Sequence, residues 1–369
     1  MPSLPAMPGT EPEFVLRVGS EKFTGWVEVT IEKSLDQFAH LFTLRYCDRW
    51  TLEGEPWQIF PGENCILLYG RQVLITGYIT ETDHVMSGNT YDLSASGRSL
   101  TCDLVDCSAI YKTGQWKNQT LLQIVKDLCD PFGLGVEDRA SISRKFKRFE
   151  LEDGETAFDA IDRACRIRAC MPITTTEGGV AIVRSDTATP VTEGGLTLNV
   201  GLAGEAFDLN IVKQRQLHHS EADRYSDYIF KGQTGADAEF FSHNATTQKG
   251  TAQDASITRY RPLLIMSEGS GDKADLGERA LWERNMRASK SDRVTYTVDG
   301  LTDPNGLVWE PGKRYKVKDD LLKINKTLLV SSVQFSLGSE GLTSVLELIS
   351  PESFSMLELP ERGNAWNPR

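Results

Sequence analysis

The sequence carries one turn-and-strand pattern twice, about 250 residues apart. The first copy contains Trp57, Phe60-Pro61-Gly62 and residues 65–69, 73–79 and 88–93, and the second contains Trp309, Pro311-Gly312 and residues 315–317, 328–333 and 341–346. The offset is 250 residues at the Pro-Gly pair, 255 at the next strand and 253 at the following glycine, a drift that a few extra residues in the second hairpin would explain. Each copy is typical of a Pro-Gly turn, a strand, a hairpin and a returning strand. The pattern predicts two related β-domains in one chain, although any two β-meanders share some of these features.

Composition places the chain among water-soluble globular proteins. Its 369 residues suffice for two or three domains, and 40% of them are apolar and 25% charged. No run approaches the roughly 18 apolar residues that cross a bilayer, and residues 1–8 lack the basic and apolar regions of a secretory signal. We therefore expect synthesis in a cytoplasm and no stable membrane insertion.

The cysteines favour reduced thiols. Their number is odd, and they are scattered along the chain at Cys47, Cys65, Cys102, Cys107, Cys129, Cys165 and Cys170. A disulfide framework is usually even-numbered and confined to small secreted chains. The x4 spacing of Cys102 with Cys107, and of Cys165 with Cys170, also lacks the second matched pair of a zinc site.

The charge balance argues against tight nucleic-acid binding. The chain has 52 acidic and 40 basic side chains, a formal net charge of −12. A phosphate-gripping protein needs a basic stripe, and the one dense basic run, residues 144–148, is more typical of a charged edge strand. A surface past which DNA slides without sticking remains compatible with this charge, and an acidic channel wall is the corresponding expectation.

Hydrophobic periodicity divides the chain into five regions. Residues 1–11 form a Pro-rich arm and residues 351–369 a tail. Residues 12–115 show period-two alternation, as in Val27, Val29 and Ile31, and form a first β-barrel-like domain. Residues 116–195 form a small α+β domain, and residues 196–350 form a second β-barrel-like domain with an insertion around 232–292.

Several elements of the later regions follow from local signals. A helix is predicted over residues 121–129, with Asn118 or Thr120 as its cap and residues 130–133 as its stop. A second helix begins near Asp153 or Thr156, and a Gly-Gly hairpin spans residues 174–183. Further on we expect a strand at 228–230, a long polar loop over 232–254 and a helix at about 273–289.

No motif predicts a catalytic, cofactor-binding or metal site. Residues 306–314 resemble a phosphate loop, but five residues separate the glycines and Arg314 stands where a hydroxyl must hold magnesium, which favours a β-turn. His218 and His219 are neighbours on a strand and point to opposite faces, and His243 adds no metal-ligand spacing. Acid pairs such as Glu150 with Glu152, or Asp319 with Asp320, are typical of solvated charge.

The order of motifs resembles one known family. The residues that carry the resemblance are Gly70–Tyr78, Ser96–Ser99 and Asp103–Asp106 in the first half, and 225–232, 259–265, 280–283, 287–289, 298–301, 306–312, 317–319 and 328–330 in the second half. Together they look like the baseplate hub protein of Mu-like contractile-tailed phages and prophages. The similarity spans roughly residues 14–355. No single segment is specific, but their order along a chain of this length is.

The resemblance implies a mainly β fold with an α+β insertion, built from two related antiparallel β-barrel-like domains and a small α+β domain. It implies a ring-shaped homotrimer with pseudo-sixfold symmetry at the centre of the virion tail baseplate, synthesised in the cytoplasm of a bacterial host. Such a ring joins the sixfold tail tube to the threefold membrane-piercing spike, contacts other baseplate proteins and lets DNA pass during ejection without specific binding. The family carries no catalytic residues. We expect an obligate subunit interface on the order of 2,000 Å² or more.

Two other functions remain open at this point. A tail-associated peptidoglycan hydrolase would also act at the cell surface, because composition does not exclude a carboxylate pair. A carbohydrate- or receptor-binding tail module is the other alternative, because β-domains with exposed Trp often bind sugars. We predict a structural hub and not an enzyme.

Overall fold

The computed structural model describes residues 13–49, 59–87, 90–184, 197–200, 212–232, 249–267, 273–303 and 306–354. The predicted N-terminal arm, most of the predicted C-terminal tail, Trp57, His243 and Gly88 lie outside these ranges. None of the helices in the described ranges is both long and apolar enough to span a bilayer.

The first β-unit contains seven strands of one antiparallel sheet. They are β1 (Phe14–Val18), β2 (Glu21–Phe23), β3 (Glu28–Ser34), β4 (Leu41–Arg49), β5 (Asn64–Tyr69), β6 (Gln72–Ser87) and β7 (Thr90–Ser99), in the spatial order β3-β4-β7-β6-β5-β1-β2. Period-two alternation in β3 buries Val29 and Ile31 on one face. Val27, which the sequence places in the same alternation, precedes the strand and is exposed.

The central unit contains both helices and strands. It contains α1 (Cys102–Asp106), β8 (Gln115–Thr120), α2 (Leu121–Cys129), β9 (Val136–Asp138), β10 (Lys145–Glu150), α3 (Ala157–Ile167), β11 (Cys170–Thr174) and β12 (Val180–Arg184). Thr120 caps α2, and its hydroxyl accepts a hydrogen bond from the Gln123 amide. Thr156 and Asp159 form a capping box on α3. The helices and the Gly-Gly hairpin therefore begin and end close to where local sequence signals put them.

The second β-unit continues the large sheet. Its strands are β13 (Thr197–Val200), β14 (Val212–His219), β18 (Asp292–Asp299), β19 (Arg314–Asp319), β20 (Ile324–Gly338) and β21 (Gly341–Ile349), in the order β14-β18-β21-β20-β19, with β13 parallel to β19. Strand β20 then pairs with β3, so both units share one 13-stranded sheet and one apolar core.

A separate small layer interrupts the second unit. It consists of β15 (Asp227–Gly232), β16 (Lys249–Gln253), β17 (Pro262–Ser267) and α4 (Lys273–Lys290), with Tyr228, Phe230, Leu276 and Ala280 as its core. The loop predicted over residues 232–254 is wrong at its end, because β16 lies there and pairs with β15. The strand predicted at 228–230 is correct, but it belongs to this layer and not to the large sheet.

The fold is thus mainly β with an α+β insertion, as predicted. Among the described residues no strand pairing connects β14 with β2, the two ends of the large sheet. The expectation of closed barrel-like domains is therefore not met within one chain: the sheet is a long open path. Closing a sheet requires its end strands to meet, and here they lie at opposite ends of the two-unit sheet.

Candidate functional site

The two β-units have the same topology. In each, five strands follow the spatial order first-second-fifth-fourth-third: β3-β4-β7-β6-β5 in the first unit and β14-β18-β21-β20-β19 in the second. In both, the third, fourth and fifth strands form a meander, and the second strand pairs with the fifth. The duplication predicted from sequence is present in the strand order.

Local hydrogen bonds match the two units residue by residue. Gly62 and Gly312 both have left-handed backbone, with φ of 90° and 86°, which glycine adopts without a Cβ penalty. Their amides donate to the carbonyl oxygens of Ile79 (2.7 Å) and Val330 (2.8 Å). Ile79 is therefore the counterpart of Val330.

A β-bulge marks the same place in both units. The register shifts between Ile79 and Glu81 where β6 pairs with β7, and between Val330 and Ser332 where β20 pairs with β21. A bulge adds one residue and bends its strand, so it is a position-specific landmark. Residues after the hairpin turn therefore correspond at an offset of 251, and the offsets of 255 and 253 inferred from sequence are wrong. The second hairpin has one extra residue, not several.

The two units meet at an internal seam, defined here as the antiparallel pairing of β3 with residues 332–337 of β20. Phe335 lies opposite Ile31, and both side chains are 0% exposed. Leu337 lies opposite Val29, which is also buried. Beyond the paired residues, the Leu35 amide donates to the Ser331 carbonyl oxygen at 2.9 Å. Backbone pairing and apolar packing together hold the units side by side.

One charged residue lies inside this seam. Lys33 is opposite Val333 and is buried. Burial lowers the pKa of Lys33 to about 8, an effect that the carboxylate of Glu310 opposes and the ammonium of Lys313 reinforces. Nearby, burial and the charge of Lys33 lower the pKa of His40 to about 3. Both side chains are buried and are therefore not exposed to a ligand in solvent.

The central unit is fastened to both β-units. The Phe38 carbonyl oxygen accepts hydrogen bonds from the hydroxyls of Thr101 (3.3 Å) and Thr174. The Thr176 hydroxyl donates to Glu310 of the second unit at 3.3 Å. The Phe38 ring stacks on Phe158 at 4.5 Å between centroids. These contacts fix the orientation of the central unit against the large sheet.

The residues that could have formed a chemical site have structural roles. Residues 306–314 form a turn, in which Trp309 is buried and packs edge-on against Tyr315 at 5.1 Å. His219 contacts Asp292 at 2.5 Å between Nδ1 and Oδ1, while His218 is the exposed neighbour on β14. Within the described ranges, no three His, Cys, Asp or Glu side chains are grouped as metal ligands would be.

The acid pairs differ from the sequence expectation in one case. Glu150 contacts Arg148, and Glu152 lies 3.9 Å from Arg163. Asp319 is buried instead of solvated. Its Oδ1 accepts hydrogen bonds from the Leu321 and Leu322 amides at 3.0 and 2.9 Å, so it organises the β19–β20 turn.

The cysteines and tryptophans also support packing roles. Five of the seven cysteines are buried, and burial raises the pKa of Cys65 and Cys129 to about 12, where a thiol is not a nucleophile at neutral pH. Among the tryptophans in the described ranges, Trp26, Trp116 and Trp309 are buried, and Trp282 on α4 is half-buried. The premise of a sugar-binding module, exposed Trp on a β-domain, finds no support in the three buried side chains.

The basic run at residues 144–148 is part of a strand. It overlaps β10, which pairs antiparallel with β8 in a two-stranded sheet. Lys145 and Arg148 are exposed while Phe146 is buried between them. This arrangement is that of an amphipathic edge strand, as the sequence indicates.

Comparison with known proteins gives a consistent result along the chain. Residues 13–99 match the family described as Mu phage baseplate assembly protein GpP-like, N-terminal. Residues 101–184 match the second domain of the gp44-like baseplate hub protein. Residues 273–358 match the fourth domain of the Mu phage baseplate assembly protein GpP.

One relative and two solved structures extend this result. The baseplate hub protein gp44 of Escherichia phage Mu is 32% identical over 366 residues, which covers 95% of this chain and 90% of that protein. The 43 kDa tail protein of prophage MuSo2 from Shewanella oneidensis is 29% identical, with a TM-score of 0.79 over 93% of this chain and all of that chain. A chain of the Francisella PdpA–VgrG complex shares the fold, with a TM-score of 0.59 and 10% identity over 96% of this chain and 60% of that chain.

These similarities agree with the topology and with the structural roles of the candidate residues. The matched proteins are structural components of phage tails, and neither their descriptions nor the packing described above points to an enzyme. The chain belongs to the family of Mu-like phage baseplate hub proteins and is a structural component of the virion tail baseplate.

Proposed function

We propose that three copies of this chain form a ring that adapts the sixfold tail tube to a threefold spike. The observation that carries the proposal is the repeated five-stranded topology within one chain. A threefold object cannot meet a sixfold one through identical contacts unless each subunit supplies two equivalent surfaces. Two units with the same strand order and the same bulge position provide such surfaces.

The internal seam supplies the geometry of neighbouring units. It places the two units edge to edge in one continuous sheet, with antiparallel pairing and a shared core. If the same relation repeats between chains, six units follow one another around an axis. An open two-unit sheet then becomes a closed one only on assembly, which agrees with the absence of a closing strand pair in the described part of the chain.

The hub associates with other baseplate proteins, and the proposed ring would contact the tail tube on one face and the spike on the other. The fold shared with a chain of the PdpA–VgrG complex supports a spike-proximal position. DNA would pass through the centre without specific binding, because the net charge of −12 disfavours adhesion to phosphates.

Light scattering coupled to size-exclusion chromatography tests the assembly. The proposal expects a mass three times that of the chain, held by an interface that buries on the order of 2,000 Å² or more in total. A stable monomer at micromolar concentration would contradict it. A murein zymogram of the same sample provides an independent check, because clearing would require an active site and would contradict a purely structural role.

A further inference from the structure

Two of the strand edges that have no partner among the described residues are the counterparts of the two edges that form the internal seam. The first lies on β6. In the second unit, residues 332–337 of β20 pair with β3, and their counterparts at the offset of 251 are residues 81–86 of β6. No described strand pairs with this edge of residues 81–86. Their side chains are mostly exposed, and Met86 is 57% exposed.

The second edge belongs to β14, the counterpart of β3. Both are the first strand of their unit and pair with the second strand in the same way. Ile31 lies opposite Phe42 on β4, and Leu217 lies opposite Val294 on β18. Ile31 pairs with β20 and is 0% exposed, whereas Leu217 has no such partner strand in the described residues and is 43% exposed. Strand β14 is the last strand of the sheet in this direction.

We propose that β14 of one copy pairs antiparallel with residues 81–86 of β6 of the next copy, in the register of the internal seam. The inference rests on the proposed ring and specifies its subunit interface. Transferring the pairing of Phe335 with Ile31 places His84 opposite Leu217 of the neighbouring copy. Transferring the pairing of Gln334 with Glu32 places Asp83 opposite His218.

Side-chain exposure supports this register. Leu217 and Met86 would fall on the same face of the joined sheet, the face that carries Ile31 and Leu337 in the internal seam. Burying two half-exposed apolar side chains against each other is favourable by roughly 25 cal/mol per Å² of apolar area. Two long exposed edges would otherwise promote non-specific edge-to-edge association, which pairing with a defined partner prevents.

Charge favours the pairing of unlike edges over like ones. The β6 segment carries Glu81 and Asp83 and no Lys or Arg, whereas β14 carries Lys213 and Arg215 and no acidic residue. Lys213 and Arg215 also contact Asp299 and Asp319 of their own chain. The residue that the register places opposite Asp83 is the exposed His218. Two β6 edges would repel each other. The interface is therefore heterologous, as a closed ring requires.

The proposed interface differs in chemistry from the internal seam. The internal seam is centred on buried Ile31 and Phe335, whereas the interface centres on Leu217 and His84. Its other face carries Val85 among polar residues. Polar cross-strand pairs near solvent are weakened by salt. We therefore expect the trimer association constant to fall as the salt concentration rises, while the free energy of unfolding of each chain changes little.

Engineered disulfides test the register directly. We use the full chain with Cys47→Ser and Cys107→Ser, which removes the two exposed thiols. Into this background we introduce His84→Cys with Leu217→Cys, or Asp83→Cys with His218→Cys. Directly opposed residues of antiparallel strands have Cα atoms about 4.5 or 5.5 Å apart, and both distances permit a disulfide. The control is His84→Cys with His218→Cys, which the register places on opposite faces.

The expected result is a covalent trimer on a non-reducing gel for both matched pairs and mainly monomer for the control. If light scattering shows a trimer but neither matched pair cross-links beyond the control, the strand pairing is wrong while the hub ring stands. If no trimer forms before oxidation, the proposed ring fails and this interface fails with it. Cross-linking in the control and not in the matched pairs would overturn the register.

A charge exchange keeps the test independent of disulfide formation. His218→Asp places a second carboxylate opposite Asp83 and is expected to lower the trimer association constant about tenfold, because the repulsion occurs at three interfaces. Adding Asp83→Lys gives the pair opposite charges and should recover most of the loss. If the double variant assembles no better than His218→Asp alone, the two residues are not opposed and the proposal is wrong.

Discussion

Replacing Phe335 with alanine should lower the free energy of unfolding, because Phe335 packs at the internal seam. The Phe335 ring lies opposite Ile31 and is 0% exposed, at the junction of the two β-units. The paired backbones of β3 and β20 limit how far neighbouring side chains can move into the space. Truncation of a fully buried Phe costs about 3–5 kcal/mol, which lowers the folding equilibrium constant by roughly two to four orders of magnitude.

Urea unfolding followed by tryptophan fluorescence measures this loss, because Trp309 belongs to the same core as Phe335. With a denaturant slope of about 2–3 kcal/mol/M, the midpoint should fall by about 1–2.5 M. Phe60→Ala is the matched control, since Phe60 is 54% exposed and its truncation should cost less than about 0.5 kcal/mol. Equal midpoints for the two variants would refute the view that the seam is a packed part of the core.

Three further substitutions probe other buried positions. Burial lowers the pKa of His40 to about 3, so below about pH 6.5 His40 binds a proton in the unfolded chain but not in the folded chain. The free energy of unfolding should therefore fall by about 2 kcal/mol at about pH 5. Denaturant unfolding of His40→Gln should not show this fall. The pKa of Lys33 is lowered to about 8, so the free-energy cost of burying its charge is fully present below pH 8 and disappears as the pH approaches 10.5. Lys33→Met should therefore raise the free energy of unfolding by up to about 3 kcal/mol at about pH 7 and by less at about pH 10. No increase at either pH would contradict this burial cost. A Cβ at Gly77 would lie 1.9 Å from the Arg98 carbonyl oxygen, whereas one at Gly338 meets nothing within 4 Å; Gly77→Ala should cost about 1–3 kcal/mol in denaturant unfolding, and equal stability of the two alanine variants would contradict that crowding.

Local elements could be predicted from sequence where the signal is local. The cap at Thr120, the stop at Gly133 and the capping residue Thr156 mark helix ends through backbone hydrogen bonds that their own neighbours satisfy. The duplicated Pro-Gly turn was recognisable because a left-handed residue is needed at Gly62 and Gly312. These features depend on a few adjacent residues, so they can be recognised from a single sequence.

The residue-by-residue correspondence between the two β-units could not be predicted correctly from the sequence. Apolar runs such as residues 73–79 and 328–333 align equally well at several offsets, because strand side chains repeat every two residues. The bulges after Ile79 and Val330 fix the alignment, and a bulge is defined by pairing with another strand. Only the fold contains that information.

The unpaired strand edges on β6 and β14 could not be predicted from the sequence either. Ile31 and Leu217 are similar apolar residues on similar strands, yet one is covered by β20 and the other is not. Likewise the strand at 228–230 carries the same alternation as strands of the large sheet but pairs in a separate layer with α4. Partner choice between strands depends on residues far apart along the chain.

Electron microscopy of the purified assembly tests the central claim most directly. The account predicts a ring of three chains in which six five-stranded units lie at one radius, first and second units alternating, with strand density continuous across every junction. A particle whose first and second units lie at different radii, or whose chains meet through the central α+β unit instead of sheet edges, would contradict it.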